Sequence, residues 1–136
     1  MRRRGRQGAA GRTVDKRRKG AHFERLAADF LKEEGYKVIE RNYSAASGEI
    51  DIIAEEGGCL CFVEVRSRYG AALGDVAASV GAEKRRRLVA TSLLWRRQHR
   101  AEHKPVRYDL VVISRSGGKT AIKLIRNAFE PRMFCW

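Results

Sequence analysis

The residues with the most chemistry to offer are Asp51 and Glu64. They sit in two extended runs, GEIDIIAEE and CLCFVEVRSR, joined by Gly57 and Gly58. A Gly-Gly step between two such runs predicts a two-residue hairpin, because both central residues can take positive φ. That hairpin sets Glu56 opposite Cys59 and Ile53 opposite Phe62. Carried further, it sets Asp51 across from Glu64 and Glu49 across from Arg66. Directly opposed residues share a face, with Cβ atoms about 4.5–5.5 Å apart, so two facing carboxylates repel each other and call for a cation. Two cations answer that need on spacing alone. One is a divalent metal: Mg²⁺ takes hard oxygen ligands and commonly only one or two carboxylates, leaving room for water and phosphate. The other is Arg66 or Arg68, closing a local salt-bridge cluster. Leu60 and Phe62 share the face of Glu64 and Arg66, so the strand FVEVRSR is apolar at one end and charged at the other. A strand running from a core to the rim of a site has that pattern.

The elements that must position these residues are legible from periodicity. Phe23, Leu26, Ala27, Phe30 and Leu31 form one apolar stripe of a helix that begins after Gly20 and ends at Gly35. YKVIERNY reads as a strand. After the hairpin comes a Gly- and Ala-rich segment from Tyr69 to about Gly81. EKRRRLVATSLLWRRQHR then reads as a long helix, with Leu88, Thr91 and Trp95 inward, supported by Leu94. VRYDLVVIS is a strand opening just after Pro105, SRSGGK a turn, and TAIKLIRNAF a last strand. The order is α-β-β-β-α-β-β, a mixed sheet flanked by helices.

Composition narrows the partner. The chain has 136 residues, enough for one domain with a real core. Its 29 Lys and Arg against 16 Asp and Glu give a formal charge of +13. Such a surplus points to a polyanion, since each cation at a phosphate releases a counterion. Much of it lies in residues 1–19, which read as a disordered basic tail ahead of a domain at residues 20–136. No apolar run is long enough to cross a membrane, and the first twenty residues lack the apolar centre of a secretory signal. Cys59, Cys61 and Cys135 form no Cys-x-x-Cys. Reduced thiols and a cytoplasmic setting are the expectation.

Lys84, Arg85, Arg86 and Arg87 open the long helix. Lys84 and Arg87 fall on one side with Thr91, a placement suited to gripping a phosphodiester backbone. His99 and His103, four apart, have no third ligand nearby in sequence and read as an exposed helix end rather than a zinc site. His22 reads as a surface residue. Asp109 reads as structural, bonding Arg107 or a loop.

Together, GEIDIIAEEGGCLCFVEVRSR, the helix carrying Glu24, the phrase RNYSAASGEIDIIA, the helix after EKRRRL and the ending RYDLVVIS…IRNAF resemble the bacterial YraN-like proteins over roughly residues 20 to 130. That family in turn resembles restriction-endonuclease-like nucleases of the PD-(D/E)xK type, which include junction resolvases. The resemblance implies a three-layer α/β/α fold around a mixed sheet. It places Asp51 at the motif's first acid, Glu64 at its second, Arg66 at its lysine and Glu24 at an additional helical acid. The implied metal ligands are Glu24, Asp51 and Glu64, for Mg²⁺ or Mn²⁺. Arg66, Arg68, Lys84 and Arg87 would meet nucleic acid, DNA rather than RNA. A homodimer, using the segment from Gly70 to Gly81, is a further expectation.

Two departures stand out. Arginine replaces a lysine thought to orient or activate the attacking water, and arginine keeps its proton in proteins. Phe23 stands where the family has glycine before the helical acid. A nucleic-acid-binding module on the same fold with weak or absent chemistry, and an assembly factor docking on RNA or an acidic protein, are the competing readings.

Overall fold

The computed structural model describes residues 20–69 and 80–130. The basic tail, Cys135, and nearly all of the segment expected to form a dimer surface lie outside these residues. Helix α1 covers residues 20–33. Strands β1 (Lys37–Ala45), β2 (Gly48–Glu56) and β3 (Cys59–Tyr69) follow, then helix α2 (Ala82–Gln98) and strands β4 (Val106–Ser116) and β5 (Lys119–Ile125). The five strands form one sheet in the order β1-β2-β3-β4-β5. Only β3 and β4 run parallel, with α2 as the crossover between them.

Alternation along the strands divides the interior into two cores. Ile53, Phe62, Tyr108, Leu110 and Val112 face α2 and meet Leu88, Val89 and Trp95. Ile52, Ala54, Cys61, Val63, Val111 and Ile113 face α1 and meet Phe23, Ala27, Ala28 and Leu31. The sheet is therefore covered on both faces, which gives the α/β/α layering expected from the sequence. Each large side chain taken fully from water, such as Phe62 or Leu110, contributes about 1.5–3 kcal/mol.

α1 ends as its sequence requires. Gly35 takes φ +97°, where a side chain would be strained. Tyr36 N donates to Leu31 O and Gly35 N to Lys32 O, which closes the last turn as a Schellman motif. The hairpin also forms as read: Gly57 and Gly58 take φ +57° and +81°, and the register runs from Glu56 with Cys59 to Ile52 with Val63. One helix assignment is corrected. Leu94 is exposed, while Val89 and Ser92 join Leu88, Thr91 and Trp95 on the buried face. Ser92 belongs there because its hydroxyl is satisfied twice, by Val89 O at 2.7 Å and Tyr108 Oη at 2.7 Å.

Candidate active site

Past Ile52 and Val63 the β2–β3 ladder stops. Asp51 and Glu64 would be the next pair, and Glu49 with Arg66 two further on. The continuous pairing read from the sequence is thus corrected: Glu49 is exposed and pairs with Ser44 on β1. The cause lies in β2. Ile50 and Ile53 both enter the α2-side core, although residues three apart in a regular strand point to opposite faces. The strand must bend between them, and Asn42, near this bend on β1, takes φ +56°. Asp51 sits in that bend. Its Oδ2 accepts the Val65 amide at 2.9 Å, standing in for the missing ladder bond.

The bend lets Asp51 reach two glutamates. Its carboxylate lies close enough to Glu64 on β3 and to Glu24 on α1 for its charge to act on both. Phe23 does not prevent this, because its ring goes into the α1-side core and leaves Glu24 free to turn toward Asp51. Burial, then the charge of Asp51, raises the Glu24 pKa, with Asn42 and Arg41 opposing. Glu64 is buried among its neighbours. Burial first, then Asp51, pushes its pKa up to about 7, against the pull of Lys84 and Arg66. Both cations address the same oxygen. Lys84 Nζ lies 3.3 Å and Arg66 Nε 3.4 Å from Glu64 Oε2. Arg66 Nε is itself buried and has no hydrogen-bond partner.

Beside Glu64 opens a cleft of about 270 Å³, lined by Gly48, Glu49, Lys84, Arg87 and Leu88. Lys84 and Arg87 share its wall as their spacing implied. The β1–β2 turn can form the opposite wall because Gly48 has no side chain. A Cβ there would stand 3.3 Å from Thr91 Oγ1 and 3.4 Å from Arg87 Cβ, and φ is +151°. Arg68 is exposed further along β3. Of the cations assigned to a phosphate backbone, Arg66 and Lys84 meet Glu64, and Arg87 lines the cleft while ion-pairing with Glu83.

Among the described residues no group of three His, Cys, Asp or Glu is arranged to hold a metal ion. Glu24 and Glu64 meet Asp51 individually. The donor set of Asp51 and Glu64 nonetheless fits Mg²⁺ or Mn²⁺, which commonly take two carboxylates and complete their shell with water and phosphate. These are hard oxygens, and one is buried beside a second carboxylate, so a cation would relieve it.

The raised Glu64 pKa has a stability consequence. From its ordinary 4.5 to about 7, the folded chain holds a proton that the unfolded chain releases. This contribution is fully present below pH 4.5 and lost as pH rises through 7. Metal-free protein should therefore lose stability as pH rises from 5 to 8, and Glu64→Gln should remove most of that dependence. Urea midpoints of both proteins at the two pH values measure it; equal slopes would leave Glu64 without this role.

Other residues resolve to structural parts. His99 is exposed and stacks on Trp95 at 3.9 Å, and His22 and His103 are exposed. Tyr108 is core. Asp109 bonds both Arg107 and a loop, at the Asn127 amide. No helix among the described residues is long and apolar enough to cross a membrane.

A three-layer α/β/α domain with an acidic cluster at the split of its central hairpin, walled by cations, defines the class. Residues 23–113 match the model of the uncharacterised protein family UPF0102. The chain is 42% identical over 115 residues to a UPF0102 protein of Symbiobacterium thermophilum, covering 84% of this chain and 98% of that one. It is 36% identical over 120 residues to one of Anaeromyxobacter sp. (strain Fw109-5), covering 88% and 90%. One of Methylococcus capsulatus is 41% identical over 113 residues, covering 83% and 91%. The chain belongs to the UPF0102 family.

Proposed function

We propose that the protein is a divalent-metal-dependent nuclease acting on DNA, with restriction-endonuclease-like chemistry. The observation that carries this reading is the buried Glu64, close to Asp51 and ion-paired with Lys84, at the edge of a cleft that Lys84 and Arg87 line. Asp51 and Glu64 would hold Mg²⁺ or Mn²⁺, with Glu24 joined through Asp51. When bound, such an ion polarises a phosphodiester and makes a water more acidic. The chain's residues do the rest. Lys84 and Arg87 hold the backbone in the cleft, and Arg68 extends that contact along β3. Arg66, its Nε turned to Glu64, offers its terminal nitrogens to a phosphate oxygen and stabilises the charge that grows on it during in-line attack.

A second reading keeps the fold and the binding but not the cleavage. Arg66 favours it, since a guanidinium at the lysine's position cannot take a proton from water. Its charge serves binding equally well.

One assay separates the two. Linear duplex and four-way branched DNA are incubated with the protein in Mg²⁺ or Mn²⁺, with and without EDTA, and binding is measured across a salt series. The nuclease reading expects cleavage that EDTA stops and added metal restores. Salt-sensitive binding with no cut in either metal would leave the binding module. Binding unaffected by salt would remove both, because contacts to phosphates carry a counterion-release slope.

A further inference from the structure

Two cations meet at one oxygen of Glu64, and they come from different parts of the fold. Arg66 is two residues on in the same strand; Lys84 arrives from the first turn of α2. Leu88, one helical turn after Lys84, is buried in the α2-side core and fixes where that turn lies. The close approach at Gly48 presses the β1–β2 turn against the same helix. Lys84 is therefore aimed by packing on two sides. A cation in a helix's first turn is opposed by the helix dipole, so Glu64 rather than α2 favours its charge there.

Lys84 is also, among the described residues, the side chain that both lines the cleft and ion-pairs with Glu64. It links the place where a backbone would lie to the place where a metal would be held. An ammonium has three rotatable donors. One directed to Glu64 leaves two for a ligand in the cleft. Arg66 has less freedom, because its Nε lies at Glu64 and its donors are fixed in a plane.

We propose that Lys84 is the positioning lysine of this site, holding the scissile phosphate or the attacking water against Glu64 in place of the lysine that Arg66 displaces. The assignment rests on the nuclease reading and deepens it: the sequence motif lacks its lysine, and the fold supplies one from α2.

The test uses the full chain and the variants Lys84→Ala, Lys84→Arg and Lys84→Ala with Arg66→Lys. Single-turnover cleavage is measured at saturating protein, DNA affinity in Ca²⁺, and Mn²⁺ binding by calorimetry. Lys84→Ala should cut at least about 100-fold more slowly, with a much smaller loss of DNA affinity. Its Mn²⁺ binding should tighten, since a positive charge leaves the carboxylate. Lys84→Arg should recover affinity but not rate, and Arg66→Lys should return part of the rate to the alanine variant. An unchanged thermal midpoint would exclude misfolding as the cause, and the half-exposed side chain makes that the expected result. Cutting by Lys84→Ala within about three-fold of wild type would overturn the assignment and leave the nuclease intact. Full activity in Lys84→Arg would overturn it too, because charge alone would then suffice. A wild type that neither cuts DNA nor binds Mn²⁺ would overturn the nuclease reading and take this assignment with it.

Discussion

Asp51→Asn should lose cleavage and gain stability in the same protein. The loss follows from position. Asp51 is the carboxylate whose charge acts on both Glu64 and Glu24, so its removal leaves the two glutamates without the acid they share. A fall of at least about 10²–10³-fold is the scale for deleting one preorganised group that stabilises transition-state charge. The gain follows from repulsion. Asp51 raises the pKa of both glutamates, so its charge opposes theirs in the metal-free fold. Asparagine relieves that repulsion and keeps a carbonyl oxygen for the Val65 amide now bonded at 2.9 Å. Asp51→Ala tests the same point less cleanly, because it leaves that amide unpaired at a cost of about 1–3 kcal/mol. Single-turnover cleavage and urea unfolding at pH 8 without metal read the two effects. A variant that keeps its activity and loses stability would make Asp51 a structural cap for Val65.

The bend at Asp51 explains which parts of the site were legible in the sequence. Gly57 and Gly58 determine the hairpin, and counting outward from them sets Asp51 near Glu64, although the ladder itself ends at Ile52 and Val63. Counting cannot show where pairing stops. The bend between Ile50 and Ile53 has no glycine or proline to announce it, and it arises because both isoleucines are drawn into one core. The available hint is an apolar pair three apart in a segment otherwise of period two. That bend turns a repelling pair into a cluster reaching Glu24 on the opposite layer. The contact between Lys84 and Glu64 was illegible for another reason. It depends on the parallel alignment of β3 with β4 and on how α2 crosses between them, neither of which follows from local spacing. The helix period could show that Lys84 and Arg87 share a side, but not that this side faces an acid. Leu94 failed similarly: period and hydrophobicity put it at the edge of the buried stripe, and packing chose Ser92, whose hydroxyl Tyr108 satisfies.

Asp109→Ala should be the most destabilising single change to a charged residue outside the site. Asp109 is fully buried on β4 and faces the α1 layer. Its Oδ1 accepts from Arg107 Nε at 2.8 Å and the Asn127 amide at 2.9 Å. Its Oδ2 accepts from Tyr36 Oη at 2.7 Å and from an Arg107 terminal nitrogen at 3.0 Å. Arg107 continues to Glu56, which Arg126 also grips through two hydrogen bonds. The hydrogen bonds from Arg126 and Arg107 hold the Glu56 carboxyl down at about 2. One carboxylate thus ties the residue after the α1 cap to β4, the turn after β5 and the end of β2. Alanine would strand a tyrosine hydroxyl and a backbone amide and remove one of the two acids that balance Arg107. Removing one partner of such a buried pair costs about 3–5 kcal/mol, against a total stability of about 5–15 kcal/mol for a domain. Asparagine should rescue little, because its amide group presents donors where Tyr36 and Arg107 already donate. The size of the pair's own contribution is a separate quantity. Arg107→Met together with Asp109→Leu should be less destabilising than the sum of the single changes, since no buried charge of the pair is then left alone. Urea unfolding of the four proteins gives the coupling. Additive losses would mean that Arg107 is held by Glu56 alone and that Asp109 serves Tyr36 and Asn127. In that case the network would divide into two independent clasps.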